Sequence, residues 1–174
     1  MLRKLMVVAA LAILPATVAS AQFSAGDWEL TLSGQGSNGP DFNGTTWSID
    51  GQLGYFFTKE VEASIRQTLS YTDVGLTAGG GTAWAGATRV ALDYNFDLGK
   101  WVPYIGANIG FVYGDGVHDT FEAGPEAGVK FFVNSTTFIK LGVEYEFFFD
   151  EGSDSTTLSD GQFIYSLGIG FRWK

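Results

Sequence analysis

The sequence has no cysteine and only one histidine, His118. Without cysteine there can be no disulfide, so a chain that enters an oxidising compartment must be held together by something else. Positive charge is also scarce. There are 10 Lys+Arg against 19 Asp+Glu, for a formal net charge of −9, which argues against nucleic acid as a partner. After residue 21, no apolar run approaches the ~20 residues that a membrane-spanning helix needs. One architecture crosses a membrane without such helices: the closed β-barrel, which satisfies its backbone groups between strands and leaves no edge. What the chain does have is glycine, at 24 residues, and aromatic side chains, at 16%.

The beginning of the chain reads as an export signal. Arg3 and Lys4 precede an apolar run from Leu5 to Leu14, followed by Pro15 and the small residues Ala19-Ser20-Ala21. The run is too short to cross a bilayer, and the pattern predicts cleavage before Gln22. Residues 1–21 are therefore expected to be a signal peptide and 22–174 a single domain. Without Arg3 and Lys4, the domain keeps 8 of the 10 basic residues against the same 19 acidic ones.

From Gly26 onward, period-two alternation dominates, as expected of strands that send successive side chains to opposite faces. The first strand, Gly26 to Gly36, sets Trp28, Leu30 and Leu32 against Glu29, Thr31 and Ser33, and ends in the breaker cluster Ser37 to Asp41. Thr45 to Phe57 sets Trp47, Ile49, Leu53, Tyr55 and Phe57 against Ser48, Asp50, Gln52 and Gly54. Val61 to Tyr71 sets Ile65, Leu69 and Tyr71 against Glu62, Arg66 and Thr68. In Ala83 to Phe96, Trp84, Val90, Leu92, Tyr94 and Phe96 oppose Arg89, Asp93 and Asn95. Trp101 to Tyr113 is the least polar strand, with Ile105, Ala107, Ile109 and Phe111 opposite Tyr104, Gly106, Asn108 and Gly110. Thr120 to Val133 places Glu122, Glu126 and Lys130 on its polar face, and Pro125 on the other face predicts a bulge or local weak point. Thr136 to Phe149 places Lys140, Glu144 and Glu146 on its polar face. The last strand, Phe163 to Lys174, carries Phe163, Tyr165, Leu167, Ile169, Phe171 and Trp173 on one face, with Ser166, Gly168, Gly170 and Arg172 on the other.

Eight strands of about the ~10 residues suited to a tilted membrane strand, joined as hairpins, predict an all-β, eight-stranded antiparallel up-and-down transmembrane β-barrel. Short turns near Thr58, Gly99 and Ser135 alternate with longer loops at Ser37–Gly44, Thr72–Thr82, Gly114–Asp119 and Asp150–Gly161. In such barrels short turns face the periplasm, so both termini are expected there. Alternation alone also fits a soluble cup with a greasy interior. Aromatic residues at both strand ends and small residues beside the charges on the polar face favour lipid outside and a narrow lumen inside.

The signal peptide, the alternating strands and the ending Ser166, Gly168, Phe171, Trp173 resemble the small outer-membrane barrels of the OmpA/OmpX type. In that family the ending is recognised by the barrel-assembly machinery, and the resemblance implies that role for these four residues. The family usually stops at the aromatic residue, whereas this chain continues to Lys174. The resemblance also implies the outer membrane of a Gram-negative bacterium, with outer-membrane lipid and lipopolysaccharide as surroundings.

On the polar face the strand charges would fill a lumen just wide enough for side chains, as a plug of ion pairs. The expected network comprises Glu62, Arg66, Arg89, Asp93, Glu126, Lys130, Lys140, Glu144 and Arg172, with Gly128 and Gly142 leaving room. The alternative is a narrow passage for small hydrophobic or ionic solutes along these charges. A lipid-modifying enzyme would need a nucleophile and base, but His118-Asp119-Thr120 does not match the His-x-Ser arrangement of deacylase barrels. His118 reads as a solvated loop residue and the loop acids as a solvated rim, so no catalytic residue, metal or cofactor is expected. The expectation is a monomeric, non-enzymatic barrel with a structural, envelope-integrity or surface-interaction role.

Overall fold

A computed structural model describes residues 23–38, 45–74, 81–115, 119–149 and 161–174. Strands β1 (Trp28–Asn38), β2 (Thr45–Phe56), β3 (Val61–Val74), β4 (Gly81–Asn95), β5 (Trp101–Gly114), β6 (Thr120–Phe132), β7 (Thr137–Phe149) and β8 (Gly161–Trp173) follow in chain order. Each pairs antiparallel with its neighbour, and β8 pairs with β1 to close the barrel. The expected signal peptide lies outside the described residues.

The register fixes which side chains share the lumen. One row of paired residues runs Phe56, Glu62, Asp93, Gly106, Glu126, Glu144, Ile164, Ser37 and Thr46. It therefore returns to β2 ten residues from where it left, at Thr46 instead of Phe56. A closed sheet requires such a stagger, and an even one keeps inward residues inward after a full circuit.

The short connections cap themselves. The Thr58 hydroxyl oxygen accepts from the backbone of Glu60 and Val61, and Asn134 Oδ1 accepts from the backbone of Thr136 and Thr137. Asp97 Oδ1 accepts from Gly99, whose φ of 78° is one that glycine adopts without strain.

Inside and outside follow the sequence period. Leu32 (64% exposed), Trp47 (74%) and Leu167 (60%) point away from the barrel, while Glu29, Glu62 and Glu146 (each 0%) point into it. The soluble cup is thereby excluded, because the greasy face is the outer one. The apolar β5 has this phase too, with Ile105 and Ile109 outside and Tyr104 and Asn108 inside. Aromatic pairs mark both rims of the outer face: Trp28–Tyr55 and Trp101–Phe131 at the short-turn end, and Tyr71–Trp84 at the other. At Pro125 there is no bulge. The β6–β7 register is the same on either side, with Ala123↔Phe147 and Glu126↔Glu144, and pairing lapses only at Gly124 and Pro125. Proline lacks the ladder donor, so it weakens the seam without shifting it.

Candidate functional site

The lumen is the site that the fold builds. Antiparallel pairing sets like charges side by side on its wall: Glu126↔Glu144, Lys130↔Lys140 and Arg66↔Arg89. Neighbouring like charges repel, so each pair must be neutralised from elsewhere. The partners of these β6 and β7 charges come from other strands.

Arg66 reaches across from β3. Its Nη1 donates to Glu126 Oε2 at 2.9 Å and to Glu144 Oε1 at 3.0 Å, its Nη2 donates to Glu126 Oε1, and Asp93 lies 3.5 Å away. Arg89 donates to Glu144 Oε2 at 2.8 Å and to the Thr68 hydroxyl at 2.6 Å, with Asp50, Glu122 and Glu146 at 3.6, 3.7 and 3.8 Å. Such forked, fully buried contacts are the strong kind of charged hydrogen bond. Asn108 Nδ2 links Glu126, Glu144 and Glu146.

Nearer the short turns, Lys130 Nζ donates to Glu29 and Glu62 at 2.6 Å each. Lys140 Nζ donates to Gln52 Oε1 at 2.5 Å, and Gln52 in turn donates to Glu62 at 3.2 Å. The room left by Gly128 and Gly142 is taken by Tyr104, whose hydroxyl a Cβ at either glycine would meet.

Below this layer is a floor that the alternation did not reveal. Phe56, Val102, Phe132 and Phe138 turn inward at the short-turn end and form a buried cluster with Phe23 from the segment before β1. Phe23 stacks on Phe56 at 3.9 Å, meets Phe132 edge-on at 5.4 Å, and lies 5.0 Å beneath Lys130 Nζ. A turn brings it there: Gly26 donates to the Phe56 carbonyl and Asp27 to the Ser24 carbonyl, while Ser24 N donates to Asp27 Oδ2. The sequence signal was the aromatic doubling at strand ends, Phe56-Phe57 and Phe131-Phe132, where one ring of each pair has to face inward.

Arg172, expected in the lumen network, pairs at its short-turn rim. Its Nη1 lies 3.4 Å from Asp27, and its Nη2 donates to the Ser135 carbonyl at 2.9 Å. It sits too close to the end of β8 to reach the centre of the lumen. In the ending, Ser166 and Gly168 face inward, and Phe171 and Trp173 face outward. Thr120 donates its hydroxyl to the Phe149 carbonyl, and Glu122 adjoins Arg89. His118, Asp41, Asp150, Glu151, Asp154 and Asp160 lie outside the described residues, as does the side chain of Asp73. Asp115 and Asp119 are exposed.

Comparison with known proteins agrees with this geometry. The outer membrane protein beta-barrel domain matches residues 6–172. No curated protein matches the sequence. Among solved structures, the N-terminal β-barrel domain of Pseudomonas aeruginosa OprF is similar, with TM-score 0.62 and 17% identity over 83% of this chain and 97% of that one. Neisserial surface protein A gives TM-score 0.63 and 16% identity over 86% and 98%. Ail, the attachment invasion locus protein of Yersinia pestis, gives 0.55 and 14% over 85% and 99%. At these identities the likeness speaks for the fold alone.

Proposed function

This chain belongs to the outer membrane protein beta-barrel domain family, and we propose that within it the protein is a plugged, non-enzymatic barrel with a structural, envelope-integrity or surface-interaction role. One observation carries this reading: the lumen is crossed by buried ion pairs from opposite walls and floored by an aromatic cluster. Charges held this way are costly to separate, because removing one partner strands the other in a low dielectric. The short turns and both termini face the periplasm in this reading, so the aromatic floor closes the periplasmic mouth and the loops meet lipopolysaccharide. Ser166, Gly168, Phe171 and Trp173 serve as the assembly signal read by the barrel-assembly machinery, and the protein works as a monomer.

The test is single-channel recording of the purified protein in a planar bilayer. Silence or brief, small events are expected. Sustained, large conductance would overturn the plug and favour the narrow passage.

A further inference from the structure

The aromatic floor is made of two kinds of residue. Phe56, Val102, Phe132 and Phe138 are fixed in β2, β5, β6 and β7, whereas Phe23 belongs to the segment that precedes β1. Within that segment Phe23 is buried, while Ser24 and Ala25 are exposed. Asp27 is its firm end: its carbonyl accepts from Phe56 N at 2.9 Å, and its carboxylate lies 3.4 Å from Arg172 Nη1. Between the two stands Gly26, with a φ of 91° and open space where a Cβ would project. Glycine crosses between left- and right-handed backbone at no steric cost, so the chain can pivot there.

The neighbours of Phe23 keep other partners without it. Lys130 Nζ lies 5.0 Å from its ring, but the rings of Phe56, Tyr104 and Phe138 are at 5.2, 5.7 and 5.7 Å, and Glu29 and Glu62 each accept from it at 2.6 Å. Phe132 and Phe138 meet each other at 5.1 Å. Withdrawing Phe23 therefore strands no buried charge and leaves the β1–β2 pairing from Trp28↔Tyr55 onward in place. What it gives up is the stack on Phe56 and three hydrogen bonds at the mouth: Gly26 N to the Phe56 carbonyl, Asp27 N to the Ser24 carbonyl and Ser24 N to Asp27 Oδ2.

We propose that Phe23 to Gly26 is a hinged strap that opens and closes the short-turn mouth beneath Lys130, pivoting at Gly26 on the Asp27 anchor. Segments with few buried contacts open locally at a free energy far below that of global unfolding, and this one is held by a single ring. Opening admits periplasmic water to the layer of Lys130, Glu29 and Glu62, while the Arg66 and Arg89 contacts stay closed above it. The strap rests on the plugged-barrel reading for its periplasmic orientation and for the seal above it. It is read out as exchange and labelling and not as current, so the two can fail separately.

The test is amide hydrogen exchange of the purified, folded barrel in zwitterionic detergent, followed by NMR at urea concentrations below the unfolding transition. The Gly26 and Asp27 amides are expected to exchange at a rate that urea barely changes, the mark of a local opening, while the anchoring Phe56 amide exchanges far more slowly. Phe23→Ser should speed exchange at Gly26 and Asp27 about tenfold, by removing the stacked ring, and leave Phe56 unchanged. The chain has no cysteine, so Val102→Cys places a single thiol in the floor. A charged, water-soluble methanethiosulfonate reagent should label it, and adding Phe23→Ser should speed labelling by a similar factor. Should Phe23→Ser not fold, Phe23→Leu serves the same purpose. Exchange of Gly26 and Asp27 only on global unfolding, or equal labelling of Val102→Cys with and without the Phe23 substitution, would overturn the strap.

Discussion

Arg66 is the residue on which most of the lumen converges, since it neutralises the side-by-side pair Glu126 and Glu144 from the opposite wall. Arg66→Met should therefore destabilise the barrel by about 3–5 kcal/mol, the scale for stranding buried charges. Urea unfolding in lipid vesicles would measure this, and adding Glu126→Gln and Glu144→Gln to Arg66→Met should recover part of the loss. If Arg66→Met alone cost nothing, the crossing contacts would not be holding the barrel. In the floor, Phe138 is fully buried, and its ring fills space left by Gly170. Phe138→Ala should cost about 3–5 kcal/mol in the same assay, as a ring-sized cavity opens. An unchanged midpoint would mean that the floor is not packed.

At the level of the element, β8 has two jobs on its two faces. Leu167 points outward, midway between the rims, and its neighbours Ser166 and Gly168 point inward against Gly142 and Ser33. Leu167→Arg places a charge on the lipid face at mid-membrane, at a cost of about 2–4 kcal/mol. The expected result is reduced assembly, seen as loss of the heat-modifiable folded band on electrophoresis. Efficient assembly of that variant would mean that the inner and outer faces are reversed.

For the whole molecule, the important fact is that the charges lining its lumen are hidden. Ionic strength screens exposed pairs far more than buried ones, so raising salt from about 0.1 to about 1 M should move the urea midpoint little. A large downward shift would show that water and ions reach the Arg66 and Arg89 pairs freely. The same closed architecture predicts recovery in the outer-membrane fraction and different migration before and after boiling. Recovery in a soluble fraction would contradict both the exposed apolar face and the family.

Much of this was legible in the order of residues alone. Strict alternation assigned Glu62, Arg66, Lys130 and Glu144 to one face and Leu32, Ile65 and Leu167 to the other, because a strand has only two faces and a single misplaced charge would have broken the pattern. Strand number and closure followed from the same period and from the lack of any other way to cross a membrane. Partners within the lumen were not legible, because they depend on the stagger of the closed sheet. That stagger sets Glu126 beside Glu144 and brings Arg66 from the far wall to both. The height of Arg172 was not legible for a related reason: facing inward does not say at what height, and its height puts it at the rim with Asp27. The floor was hidden because Phe56, Phe132 and Phe138 are apolar residues on a polar face. Only the convergence of four strand ends, with Val102 of β5 among them, and Phe23 on one mouth makes that placement favourable.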